Sequence, residues 1–559
     1  MTDEERTPTE IDAIAERWLD TELDLRPELR VYLGRPGREG EYGDYSPAGH
    51  QAAADAARAT LGEIRAAEPV DETDTITKLD LTRELELELE KHDAGFWQRE
   101  LNNIESPLQG FRDIFDLSPT ATADDWAVLA KRMSNIPAAM RGYIESLRVG
   151  MSSGNAPAVR QVRIGIQQAD QLNSRDGFFF KLASEAKTAD GSALPDSLKA
   201  DLERAAQAAA SAYGELSYFL DDELQHEAPE RDAVGRDYYA LANRGFLGAT
   251  VDLDETYEWG IEELARMVAE QEAIAEQIKP GASVREAIEF LEQDPSRKLH
   301  GTDALRAWMQ ETADQALADL AASHFDIPEP VRRIECMIAP TQNGGIYYTS
   351  PSEDFARPGR MWWSVPPGVT EFDTWRERTT VYHEGVPGHH LQLGMGVYNK
   401  GKLNAWRRNQ FVSGHGEGWA LYAERLMDEL GYLADPADRL GMLDGQRMRA
   451  ARVVLDIGVH LEKPLPDGSG IWSGDYAFGF MGRNVNMDQG FVDFEVNRYL
   501  GWPGQAPAYK VGQRVWQQIR AELQAREGDA FDIKAFHKRA LDLGGIGLDT
   551  LRAALLGTA

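Results

Sequence analysis

The chain has 559 residues, which is enough for two to four domains or for one large enzyme with several lobes. Its formal net charge of −34 argues against nucleic acid as a partner, because the phosphate backbone would be repelled. The hydrophobic share of 42% fits an ordinary globular protein, and no apolar run reaches the roughly 20 residues that a membrane-spanning helix needs.

The N-terminal stretch and the cysteine count both predict a cytoplasmic protein. Residues 1–25 carry neither the basic region nor the apolar region of a secretory signal. Cys336 is the single cysteine, so no disulfide can form within the chain, as in proteins of a reducing compartment. We therefore expect a cytoplasmic location and no membrane partner, and the sequence leaves the oligomeric state open.

The first half of the chain is predicted to be helical from hydrophobic residues at three- and four-residue steps. The clearest helical segments are 51–68, 123–150, 198–224 and 253–278, and a short helix is expected between Pro280 and Pro295. We interpret residues 1–325 as a largely helical region that covers a cleft, and residues 326–559 as the catalytic region.

A small sheet is predicted directly before the main histidine cluster. Residues 331–351 have β-branched and aromatic residues around QNGG, which is typical of a hairpin, and RMWWSVPPG follows as a further strand. An extended peptide could pair along such a strand edge. Helical spacing resumes from about Glu371, so the expected fold is mainly α (α+β), a large helical protein with a small sheet beside a kinked active-site helix.

The octapeptide HEGVPGHH, which begins at His383, is close to the zinc motif His-Glu-x-x-His but has Pro387 in the place of the second histidine. On an ideal helix His390 returns to the face of His383, yet it lies about 10 Å further along the axis. Pro387 must interrupt the helix, and Gly388 tolerates unusual dihedral angles. A bulge of two residues would place His389 beside His383, so His389 and His390 are both candidate ligands.

Glu417, in GEGWALYAERL, is the best candidate for a third metal ligand. A carboxylate on the apolar WALY face would be costly to bury unless it met a cation. Two histidines and a glutamate leave one position open for water, as in catalytic rather than structural zinc sites. Glu424 lies seven residues on, where it either orients a ligand imidazole or is a solvated charge. His415 is a rival ligand or a donor to one of the ligands.

The remaining polar groups indicate how a hydrolytic site would work. Glu384 lies next to the first histidine, so it is the candidate base that takes a proton from a metal-activated water. Tyr509 and His460 are candidate donors to the oxyanion, although each is equally consistent with a packed core side chain. Arg452 could hold a substrate carboxylate, but its spacing from Asp456 on one helix favours an ion pair.

Three segments resemble the best-marked motifs of the bacterial Domain of Unknown Function 885 family, which is grouped with gluzincin-type metallopeptidases: HEGVPGHHLQ, GEGWALYAERL and WPGQAPAYKVG. Weaker similarity extends over nearly the whole chain. The resemblance implies a gluzincin-like architecture, largely helical with a small sheet beside the active helix, and a zinc hydrolase. By position it assigns His383 and His389 as the motif histidines, Glu384 as the base and Glu417 as the acidic ligand, and so favours His389 over His390.

Three functions are compatible with these residues. The first is a zinc metallopeptidase with one zinc per chain, although manganese or iron would suit the same ligands. The second is a metal-dependent hydrolase of non-peptide amides or esters, and the third is a non-catalytic binding protein with a degenerate metal site. The first two are favoured, because a structural site has no use for Glu384 and usually recruits cysteine. The expected substrate is a peptide or a small amide.

Overall fold

The computed structural model describes residues 6–340 and 345–558. Helices hold 67% of the chain and strands 4%, so the fold is mainly α with small β-sheets, as the sequence predicted. The helices before the larger sheet are α1 (Glu10–Leu25), α2 (Leu29–Tyr32), α3 (Pro47–Ala66), α4 (Glu72–Asp93), α5 (Pro107–Asp113), α6 (Ala123–Ser153), α7 (Val159–Asn173), α8 (Phe178–Ser184), α9 (Asp196–Phe219), α10 (Gln225–Glu227), α11 (Arg236–Leu247), α12 (Leu253–Ile278), α13 (Val284–Glu292) and α14 (Thr302–Ser323).

The strands are β1 (Lys298–His300), β2 (Ile334–Ile338), β3 (Ile346–Thr349), β4 (Gly359–Trp363) and β5 (Glu371–Asp373). The helices that follow are α15 (Thr374–Thr380), α16 (His389–Tyr398), α17 (Ala405–Asn409), α18 (Ser413–Glu429), α19 (Pro436–His460), α20 (Gly474–Asn484), α21 (Gln489–Gly501), α22 (Ala508–Glu527), α23 (Ile533–Asp542) and α24 (Leu548–Leu556). Within the described residues, no helix is both long and apolar enough to cross a membrane.

Several long helices, among them α3, α4, α6, α12 and α19, begin at a residue whose side chain accepts a hydrogen bond from the first turn. α6, for example, begins with a capping box between Thr122 and Asp125 and ends at Gly154, whose φ of 73° is in the left-handed region. All five helices predicted in the first half are present, as α3, α6, α9, α12 and α13. Hydrophobic spacing located the first four, and the proline residues at 280 and 295 located the fifth.

Three hydrophobic clusters form the interior. One lies among α5–α9, and a second joins α1, α3 and α4 to Trp406 of α17. The largest extends from α11–α14 through the three-stranded sheet to α18, α19 and α22, so it contains side chains from both sides of residue 325. The predicted division of the chain near residue 325 stays a prediction.

The three-stranded sheet has the order β2-β4-β3, with β2 parallel and β3 antiparallel to β4. The predicted hairpin is therefore wrong, because β4 lies between the two strands that flank QNGG; residues 341–344 of that turn lie outside the described residues. The further strand predicted at RMWW is confirmed as β4, whose Met361 and Trp363 are buried. β1 and β5 form a separate antiparallel pair.

Candidate metal centre

The histidine segment contains a π-helical turn followed by a break in the helix. α15 continues into a π-helical turn, Val381–Gly385, and α16 begins only at His389. The break between them contains a cis peptide bond before Pro387. The interruption predicted from Pro387 is therefore present, and it brings the rings of His383 and His389 to a centroid separation of 5.1 Å.

Gly388 is required in this break because a side chain would not fit. A Cβ atom at this position would lie 1.8 Å from the carbonyl oxygen of His383. The indole Nε1 of Trp419 donates to the carbonyl oxygens of Pro387 (3.0 Å) and Gly388 (3.1 Å). Trp419 belongs to α18, so the helix that carries Glu417 also holds the turn between the two histidines.

His383, His389 and Glu417 each present a ligand atom, and these three atoms lie within 4.8 Å of one another. Nε2 of His383 is 3.3 Å from Oε2 of Glu417, and Nε2 of His389 is 3.7 Å from the same oxygen. The two histidines are buried and Glu417 is partly buried. Two imidazoles and one carboxylate in this arrangement form a donor set that suits zinc.

Glu424 lies behind His383, on the side away from Glu417. Nδ1 of His383 is 2.8 Å from Oε1 of Glu424, while Thr379 donates its hydroxyl hydrogen to Oε2 at 2.9 Å. Gln446 reaches the same oxygen at 3.4 Å. With Nδ1 donating to Glu424, Nε2 of His383 faces Glu417 and is the ring nitrogen that would bind a metal after losing its proton.

Contacts within the cluster oppose the effect of burial on the pKa of His383 and of Glu417. Burial lowers the pKa of His383, but its contacts with Glu417 and Glu424 outweigh this effect and raise the pKa to about 10. Burial raises the pKa of Glu417, but its contacts with His383 and His389 hold that pKa well below its usual range. A carboxylate kept ionised beside two imidazoles is chemically suited to exchange the proton for a metal cation.

Glu384 and Tyr509 lie beside this cluster without belonging to it. Burial raises the pKa of Glu384, which is partly buried in the π-helical turn. Burial, together with the charge of Glu417, raises the pKa of Tyr509 to about 12, so its hydroxyl group keeps its proton at neutral pH. A carboxylate with a raised pKa can act as a general base, and a neutral tyrosine can donate a hydrogen bond.

Two arginines lie over the ring of Tyr509, and sequence reasoning missed one of them. The guanidinium carbons of Arg449 and Arg452 are 5.6 and 5.2 Å from the ring centroid. Arg449 has no acidic partner within 4 Å in the described part of the chain, and no motif in its neighbourhood singled it out. Arg452 donates to Glu495 at 2.7 Å and to the hydroxyl of Tyr499 at 2.6 Å.

The predicted ion pair between Arg452 and Asp456 is therefore wrong. Asp456 instead accepts hydrogen bonds from the Tyr239 hydroxyl (2.7 Å) and the Gly504 backbone N–H (2.8 Å). His460 is fully buried in the same region, with Nε2 3.0 Å from the carbonyl oxygen of Tyr499. The structure thus places His460 in the core and does not bring it to the metal-ligand cluster.

Two other candidate histidines also have partners elsewhere. Nδ1 of His390 is 2.9 Å from the Tyr348 hydroxyl and its Nε2 is 2.7 Å from the carbonyl oxygen of Val331, so both ring nitrogens are engaged. Nδ1 of His415 is 2.8 Å from the carbonyl oxygen of Ile546. Burial lowers the pKa of both histidines to about 4. Neither lies in the cluster of ligand atoms, whereas His389 does.

The chain matches the family model described as "Bacterial protein of unknown function (DUF885)" over residues 27–555. It belongs to the DUF885 family. The DUF885 chain is similar in fold to a "putative lipoprotein" from Colwellia psychrerythraea, with 22% identity, a TM-score of 0.84 and 98% of both chains covered. It is also similar to a "putative lipoprotein of unknown function" from Shewanella oneidensis, with 18% identity, a TM-score of 0.76, and 98% of this chain and 100% of that chain covered. A comparison with curated proteins gives no match.

The cytoplasmic location predicted from the sequence is wrong by this comparison, since both similar structures are described as lipoproteins. The prediction depended on residues 1–25, which lack the basic and apolar regions of a secretory signal, and on the single cysteine.

Proposed function

We propose that this DUF885 protein is a zinc-dependent hydrolase that cleaves peptide bonds. The proposal depends mainly on one observation, the convergence of ligand atoms from His383, His389 and Glu417 within 4.8 Å. A second carboxylate, Glu384, lies next to them on the chain and is not one of the three. A structural metal site has no use for this additional acid, whereas a hydrolytic site needs it as a base.

A zinc ion held by two imidazoles and one carboxylate polarises a carbonyl group and lowers the pKa of a bound water to about 7. Glu384 would take the proton from the attacking water and deliver it to the leaving amine. Tyr509 would donate its hydroxyl hydrogen to the developing oxyanion. Glu424 would hold the ring of His383 in place. Manganese or iron would fit the same donors, so the native metal is part of the test.

The sheet beside the cluster supports a peptide as the substrate. β3 pairs with β4 along one edge, and no strand in the described residues pairs with its other edge. Tyr348 of β3 contacts His390 of α16, so this strand lies against the helix that also carries His389. An extended peptide can form main-chain hydrogen bonds with such an edge, whereas a small ester has no peptide backbone with which to form them.

A mixed peptide library, with products identified by mass spectrometry, tests the proposal. The zinc-loaded protein should cleave some peptides, and a chelator should abolish the cleavage until zinc is restored. Failure to cleave any peptide would contradict a peptidase, and cleavage of a parallel panel of non-peptide amides and esters would then favour that class of hydrolase.

Metal analysis separates both hydrolases from a binding protein with a degenerate site. We expect about one zinc per chain, lost in His383→Ala and Glu417→Ala. His390→Ala is the matched control, because His390 is a neighbouring buried histidine whose ring nitrogens both contact protein groups. It should keep its zinc.

A further inference from the structure

A second site of interest is a cavity of about 370 Å³ bordered by α1, α3, α4 and α11. None of the three metal-ligand residues lines it, nor do Glu384 or Tyr509. Aromatic side chains form much of its wall, among them Trp97, Tyr238 and Trp502. A volume of this size suits a small molecule of the size of a dipeptide.

Acidic and basic side chains both line this cavity, and they do not pair with each other. Glu22, Glu88 and Glu100 contribute carboxylates, while Arg26 and Lys91 contribute cations. None of these five side chains forms an ion pair within 4 Å in residues 6–340 and 345–558. Arg26, Glu88 and Glu100 are exposed, so the cavity is open to solvent. Opposite charges that face one space without meeting leave room for a ligand that carries both.

The ionisation of Glu22 would change if a ligand cation bound beside it. Burial raises the pKa of Glu22 to about 8, and the charge of Glu88 adds to this effect. An ammonium group bound beside the Glu22 carboxyl group would favour its ionised form.

The cavity adjoins the metal centre without being part of it. Tyr238 and Phe246 of α11 line the cavity, and the end of α11 contacts the start of α18, where a Cβ atom on Gly414 would be 2.9 Å from the Cα of Leu247. α18 is the helix that carries Glu417. The two sites are therefore connected through the contact between α11 and α18.

We propose that this cavity binds a small zwitterion, an amino acid or a short peptide. Its ammonium group would meet the carboxylates of Glu22, Glu88 and Glu100, and its carboxylate would meet Arg26 and Lys91. Its apolar body would pack against the aromatic wall. This binding does not depend on the proposed hydrolysis.

The test uses the full-length His383→Ala variant, in which the metal centre is disabled, and isothermal titration calorimetry. The probes are the dipeptide Gly-Phe, its C-terminal amide, which lacks the carboxylate, and its N-acetyl form, which lacks the ammonium group. Gly-Phe should bind about tenfold more tightly than either analogue.

Two further substitutions, each made in the His383→Ala variant, should give a crossed pattern, in which each substitution weakens a different pair of probes. Glu22→Gln should weaken Gly-Phe and the amide about tenfold but leave the N-acetyl form unchanged. Arg26→Gln should weaken Gly-Phe and the N-acetyl form and leave the amide unchanged. Arg17→Gln, at an exposed position of α1 paired with Glu63, is the matched control and should have no effect.

A crossed pattern cannot come from misfolding, which would weaken all three probes together. The proposal is overturned if Gly-Phe does not bind at millimolar concentration, or if Glu22→Gln and Arg26→Gln change the three affinities alike or not at all.

Discussion

His383 lies between two carboxylates of one helix, and each contacts a different ring nitrogen. Glu417 and Glu424 are seven residues apart on α18, which is two helical turns, so both point to the same side. Glu424 has no contact with the other candidate ligands, and its remaining oxygen accepts from Thr379. In the proposed zinc site, Glu424 would therefore fix the orientation of the imidazole, while Glu417 would bind the ion.

Glu424→Gln should lower zinc affinity about tenfold or more, because a neutral amide is a weaker acceptor for the Nδ1 hydrogen of His383. Competition with a chromogenic chelator measures the affinity. Glu429→Gln is the matched control, since Glu429 lies on the same helix and pairs with Arg520 at the surface. Equal zinc affinity for Glu424→Gln and the wild type would show that Glu424 does not orient the ligand.

Spacing within one helix was the part of the site that the sequence predicted well. The seven-residue step from Glu417 was enough to predict that Glu424 lies on the same face of the helix. The other histidines could not be sorted in this way, because their partners come from distant segments. His390 contacts Val331 and His415 contacts Ile546, and no local sequence pattern predicts either contact.

The break between α15 and α16 gives the metal centre its geometry. Without it, two histidines six residues apart would point to different sides of one helix. The break is held by a close backbone approach at Gly388 and by two hydrogen bonds from Trp419. The HEGVPGHH and GEGW motifs therefore depend on each other, although they are separated in the chain.

Gly388→Ala should reduce zinc affinity by about tenfold or more, because the new methyl group would overlap the carbonyl oxygen of His383 and displace the turn. Gly396→Ala is the matched control on α16, where a Cβ atom would meet nothing within 4 Å. The same chelator competition, with circular dichroism to verify folding, gives the comparison. Normal zinc binding by Gly388→Ala would contradict the role of this turn.

Local sequence patterns located the strands but did not predict how they pair. β-Branched and aromatic runs located β2, β3 and β4 correctly, but the QNGG turn signal implied that β2 and β3 pair. β4 takes the central position instead, with alternate residues buried. Which strands pair is decided by the burial of side chains across the sheet. The residues that bury them are distant in the sequence, so a local pattern does not show the pairing.

At the scale of the whole molecule, buried polar groups connect elements that are far apart in the chain. Asp456 of α19 accepts from Tyr239 of α11 and from the backbone of Gly504 just before α22. Burial raises its pKa to about 7. The sequence was less informative about location, where the N-terminal stretch and Cys336 led to a wrong prediction.

The ionisation of Asp456 should make global stability depend on pH. Its pKa is about 4 in the unfolded chain and about 7 in the folded protein, so its stabilising effect is complete below pH 4 and is lost as the pH rises towards 7. Asp456→Asn imitates the protonated form, since one oxygen can still accept both hydrogen bonds. The free energy of unfolding of the wild type should therefore fall relative to Asp456→Asn between pH 5 and 8, by an amount on the order of 2–4 kcal/mol.

Urea denaturation followed by circular dichroism at pH 5, 6, 7 and 8 measures this difference. Asp237→Asn, at an exposed position on α11, is the control for the loss of one carboxylate. A stability difference between the wild type and Asp456→Asn that does not change with pH would contradict the assignment.

The central claim, that Glu384 is the base of a zinc hydrolase, is tested most directly by one comparison of zinc-loaded wild type with zinc-loaded Glu384→Gln. Both proteins are analysed for metal and then incubated with the same peptide library. We predict about one zinc per chain in both, and a rate of cleavage at least about 100-fold lower in the variant. Undiminished cleavage by Glu384→Gln, or a wild type that binds no zinc, would contradict the claim.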